Sequence, residues 1–84
     1  MNENIYIVFD RVGNVRTGGL VIARNDPSCV RSFHDFLARD ESMRVHAGDY
    51  ELRRVGFVSE LGDITPEVPV TVATGAQWLA MASP

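Results

Sequence analysis

The chain reads as an α+β domain: a small, mainly antiparallel sheet with one packed helix, in the order ββαββ, followed by a short C-terminal helix. Three observations predict this. Residues 4–9 are rich in β-branched and aromatic side chains. Asn25-Asp26-Pro27 opens an apolar stripe of helical period. Gly13-Asn14 and Gly62-Asp63 are turn pairs between segments of strand character, and short turns join antiparallel neighbours.

The first strand, residues 4–9, is apolar on both alternating faces, with Ile5, Ile7 and Phe9 on one and Tyr6 and Val8 on the other. That pattern predicts a central strand covered on both sides. A second strand is expected over about 15–23, interrupted by Gly18-Gly19, a pair that marks a bulge or a close backbone approach. These glycines lack the spacing and the Lys-Ser/Thr pair of a phosphate loop. Asp26 is the expected helix cap and Pro27 the first helical residue. Over about 27–39, Cys29, Val30, Phe33, Phe36 and Leu37 form the apolar stripe, which predicts Phe33 and Phe36 in the core.

Residues 40–48 are polar and aperiodic, so an exposed loop is expected there. Strand character resumes over 49–58, with Tyr50, Leu52 and Arg54 on one face and Arg53, Val55 and Phe57 on the other. A last strand is expected over about 68–73, marked as an edge by Pro66 and Pro69. Residues 74–82 suit one or two turns of helix and hold the single tryptophan, Trp78. A terminal segment this apolar must dock, either on its own sheet or on a second subunit.

With 84 residues the chain is expected to be one domain, its core over about 4–73 and an arm over 74–84. Hydrophobic content of 45% and charged content of 23% match soluble globular domains. Cys29 is the single cysteine, which rules out an internal disulfide and suits a small core residue. The N-terminus lacks the features of a signal peptide, and no run of roughly 20 apolar residues exists, so neither membrane association nor export is expected and a reducing cytoplasm is the natural setting. His34 and His46 stand apart from any zinc-ligand spacing, and no nucleophile motif accompanies them. No metal, cofactor or catalytic activity is expected.

The net charge of −3 argues against a domain that is basic as a whole. Every basic side chain apart from the histidines is arginine, however, and arginines that converge favour planar contacts to phosphate or carboxylate.

Arg31-Ser32-Phe33-His34-Asp35-Phe36, then Asp49-Tyr50-Glu51-Leu52-Arg53-Arg54-Val55-Gly56, then the acidic turn Ser59-Glu60-Leu61-Gly62-Asp63-Ile64 set a register over about residues 5–64. It resembles the small nonstructural protein of gokushovirus-type microviruses, bacteriophages with circular single-stranded DNA, which is described as DNA-binding. The resemblance implies a nonstructural phage protein of the bacterial host cytoplasm that binds single-stranded DNA in genome synthesis or packaging. Binding of that kind joins a positive groove to aromatic platforms. The candidates are Arg53, Arg54, Arg44, Arg24, Arg16 and Tyr50. Because the arginine pair straddles its strand, at most one of the two shares a face with Tyr50.

A different class of function is equally open: a homo-oligomeric adaptor binding phage assembly components or a host protein. The first strand is apolar on both faces and one long helix can cover only one of them. A homodimer is therefore expected, with Tyr6, Val8, Trp78, Leu79 and Met81 as interface candidates.

Overall fold

The computed structural model describes residues 2–82. Strand pairing is organised around β1 (Glu3–Asp10), flanked by β2 (Val15–Ala23) and β3 (Tyr50–Val58), with β4 (Ile64–Thr74) outside β3. The order is β2-β1-β3-β4, and every pairing is antiparallel. The ββαββ order and C-terminal helix expected from the sequence are those observed.

The β1–β2 turn forms because Asp10 Oδ1 accepts from the backbone N–H groups of Val12 and Gly13, at 3.0 and 3.1 Å. Asn14 takes the left-handed conformation there, with φ 55°, which asparagine tolerates through its short polar side chain. The Gly18-Gly19 pair does mark an irregularity. Between the Val8–Thr17 and Tyr6–Val21 pairs, β1 advances only through Ile7 while β2 advances through Gly18, Gly19 and Leu20. Gly18 turns this corner with φ 75°.

The opposite edge repeats the device. β4 passes through Glu67, Val68 and Pro69 while β3 passes through Val55 alone. This outer strand begins earlier than residue 68, at Ile64, and Pro66 sits within it opposite Gly56. Val55 is also an extra residue relative to β1, since Ile5 pairs with Gly56 and Tyr6 with Arg54. Strict alternation therefore fails beyond Arg54. Phe57 pairs with Asn4 and lies on the Arg54 side of the sheet, with its ring centroid 5.8 Å from the Arg54 guanidinium carbon.

The long helix α1 (Asp26–Arg39) is capped by Asn25, whose side chain accepts from the Ser28 N–H at 2.9 Å. The cap is thus one residue earlier than expected. Its extended backbone leaves Asp26 in the first turn, free to use its carboxylate elsewhere. Residues 40–48 are likewise not an open loop. Asp40 donates its N–H to Phe36 to end α1 and accepts from the Met43 N–H to start α2 (Glu41–Val45). A 3-10 turn over Ala47–Asp49 follows. Met43 and Ala47 are buried, so this segment is part of the core.

The helix α3 (Gly75–Ala82) opens with a reciprocal cap: Thr74 accepts from the Gln77 N–H and Gln77 accepts from the Thr74 N–H. It docks within its own chain, where Trp78 packs on the main core. Gly75 makes this docking possible. A Cβ placed there would lie 1.7 Å from the Ala47 carbonyl oxygen.

All helices gather on one face of the sheet. Tyr6, Val8, Leu52 and Ala73 meet Cys29, Phe33, Leu37, Met43 and Ala47 in one buried cluster. Burial pushes the Cys29 thiol up to about 11. Phe36 is not part of this core. It stands 46% exposed at the margin of α1 above β2.

Phe33→Ala should lower unfolding stability by about 3–5 kcal/mol, the usual range for a buried phenylalanine, as measured by urea denaturation. Gly75→Ala should detach α3 while the sheet persists. Trp78 fluorescence would then shift toward that of exposed tryptophan while far-ultraviolet dichroism keeps most of its signal.

Candidate nucleic-acid interface

The sheet face opposite the helices carries the odd-numbered side chains of β1. Register places Glu51 and Arg16 beside Phe9, and Arg53 beside Ile7, with Thr71 of β4 beyond Arg53. Arg53 leans diagonally over Phe9, its guanidinium carbon 3.7 Å from the ring centroid. Glu51 Oε2 holds the guanidinium there, accepting from Arg53 Nε at 2.8 Å and from Thr71 Oγ1 at 2.7 Å. Arg11 stands 3.6 Å from the other carboxylate oxygen, and its own side chain is 59% exposed.

Glu51 is the buried acidic residue of the described chain. Burial disfavours its charge, yet the bonds from Arg53 and Thr71 and the positive charges of Arg53 and Arg11 outweigh that effect and hold its carboxyl below the usual range. The result is a guanidinium held over an aromatic ring, its side chain 28% exposed, with Arg11 and Arg16 nearby on the same face. Planar groups stack on such a surface.

Arg54 has a different role. It points to the helix side, donating from Nη1 to Asp26 at 2.8 Å and from Nε to Glu67 at 2.5 Å. Asp26 also accepts from the Tyr6 hydroxyl at 2.5 Å, and Asn4 donates to that hydroxyl at 2.9 Å. The bond from Tyr6, helped by Arg54, holds the Asp26 carboxyl below its usual range. Burial, helped by the Asp26 bond, pushes the Tyr6 hydroxyl up to about 12. The start of α1 is thereby tied to β1, β3 and β4.

Of the arginines and tyrosine read as candidates, Arg53 and Arg16 share the open face. Arg54 lies behind them, and Tyr50 packs half-buried on the helix-side core. Arg44 is exposed on α2, donating to the Ala38 carbonyl, and Arg24 is exposed where β2 leads to α1. Phe9, Arg11, Glu51 and Thr71 escaped notice in the sequence, because their meeting depends on strand register. Among the interface candidates, Tyr6 and Val8 lie beneath α1, enclosed by their own chain, and Trp78 is half-buried on its own core. Leu79 and Met81 are exposed at 39% and 71%.

A family described as Phage ORF5 protein matches residues 3–78 of the chain. The chain belongs to the phage ORF5 protein family. It is thus a phage protein, and the matched region takes in all four strands, the helices α1 and α2, and every residue of the open face just described. No curated protein and no solved structure matches the chain. No helix of this phage ORF5 protein is long and apolar enough, among the described residues, to cross a membrane.

The shifted groups set the pH response. Asp26 and Glu51 are lowered, so the stability they contribute is present above the ordinary carboxylate range and is lost as pH falls through their lowered values. Tyr6 is raised from 10.0, so its contribution is intact below that value and is lost as pH rises through about 12. Urea midpoints across the acid range should fall less steeply for Asp26→Asn than for the natural chain. An unchanged slope would show that Asp26 is unpaired in solution.

Proposed function

We propose that this phage ORF5 protein binds single-stranded DNA across the open face of its sheet, as a non-enzymatic factor of microvirus type acting in the infected bacterial cytoplasm. The observation that carries this reading is the Arg53 guanidinium held 3.7 Å over Phe9 by the buried Glu51. Single-strand binding combines stacking surfaces for bases with cations for the backbone. The Arg53 guanidinium, backed by Phe9, offers the first, and Arg11 and Arg16 the second.

The acidic overall charge is compatible with this because it is unevenly placed. Asp26 and Glu67 neutralise Arg54 behind the sheet, while Glu51 is spent on holding Arg53. A second reading, a protein-binding adaptor, is favoured by the exposed apolar side chains Leu20, Ile22 and Val68 of the outer strands.

Fluorescence anisotropy with a labelled oligonucleotide separates these readings. Binding should weaken steeply with salt, and each arginine removed from the contact should flatten the logarithmic slope by about 0.7. Phe9→Ala removes the ring that backs the Arg53 guanidinium and should weaken binding without flattening the slope. Arg54→Ala should lower thermal stability and leave the salt slope in place. Absence of binding at about 50 mM salt, where the electrostatic contribution is strong, would leave the adaptor reading.

A further inference from the structure

We infer that the outer edge of β2 docks antiparallel on β2 of a second copy of this chain, so that two four-stranded sheets continue as one. β2 ends the strand order, so its outer backbone groups have no partner strand. Between Arg16 and Arg24 it carries no charge and no proline, and Leu20, Val21 and Ile22 are 61%, 38% and 55% exposed. Exposed sheet edges are normally guarded against pairing. The opposite edge is: β4 carries Pro66, Glu67 and Pro69. β2 has its bulge at Gly18, but neither charge nor proline over Leu20, Val21 and Ile22.

The apolar strip does not stop at the strand. On the helix side it continues into a cleft lined by Val21, Cys29, Ser32, Phe33 and Phe36, which leaves the Phe36 ring half-exposed beside the edge. Gly18 and Gly19 leave open space where side chains would otherwise stand, with nothing within 4 Å of a Cβ built on either. A neighbouring backbone can therefore come close.

The occupant is a second copy because two-fold symmetry pairs a strand with itself in antiparallel fashion. An axis normal to the sheet keeps both helical layers on one side and brings both Phe36 rings to the seam. Charge selects the register. Centring on Leu20 would set Arg16 against the second copy's Arg24, and like charges directly opposite are unfavourable. Centring on Val21 avoids this clash and pairs Leu20 with the second copy's Ile22. The open faces then adjoin, which doubles the Phe9–Arg53 platform along one surface. The docking itself does not depend on DNA binding.

Light scattering of the full chain at micromolar concentration tests this, with circular dichroism to confirm folding. The natural chain should give twice its 9.3 kDa mass. Leu20→Lys, from the strand, and Phe36→Glu, from the helix, should each return it to the single mass. Val68→Lys, on the other edge, should leave the doubled mass intact. If Leu20→Lys unfolds the chain, Phe36→Glu decides. A natural chain of single mass, a doubled mass indifferent to Phe36→Glu, or one abolished by Val68→Lys would overturn the docking. Loss of DNA binding with the doubled mass retained would count against the DNA reading alone.

Discussion

A sheet has two faces, and this chain has helices enough for one. That constraint shapes the rest of the molecule. Helices α1, α2 and α3 and the 3-10 turn supply Cys29, Phe33, Leu37, Met43, Ala47 and Trp78 to one side of the central strands. The other side keeps Ile7 and Phe9 partly buried without any helix over them. A small chain can leave such a face bare only by dressing it with its own polar side chains. Arg53, Glu51 and Thr71 do this, binding one another above the ring of Phe9.

Neighbouring arginines on β3 show how the two faces diverge. Arg54 is spent on structure, shared between Asp26 at the start of α1 and Glu67 on β4. One side chain thereby fixes where the helix begins relative to both the centre and the margin of the sheet. Arg53, one residue earlier, turns the other way, to Glu51 and the ring of Phe9. The alternation of a strand thus divides two identical residues between folding and recognition.

The layout was legible in the sequence because it rests on strong local signals. The β-branched run of β1, the Asn25-Asp26-Pro27 helix start and the prolines of β4 each name their element. Where the reading failed, a nonlocal effect prevailed. The extra Val55 in β3 reversed the face of Phe57, and no residue type announces a bulge of that kind. Residues 40–48 looked like a loop because their apolar content is small, yet Asp40 both ends one helix and caps the next. Phe36 fits the helical stripe, yet it stands half-exposed at the margin of α1 beside Val21 of the outermost strand. The open-face cluster was hidden for the same reason, since Phe9 and Glu51 are far apart in sequence and adjacent only through register.

Cys29 has a consequence of another kind. It is the chain's one thiol, fully enclosed between α1 and the sheet, and burial keeps it protonated well past neutrality. At 2% exposure at the base of the cleft beside Phe36, it is alkylated readily only when the helical layer lifts. The rate of its modification is therefore a clock for that lifting, distinct from the loss of the sheet, and it reports how independently the two layers breathe.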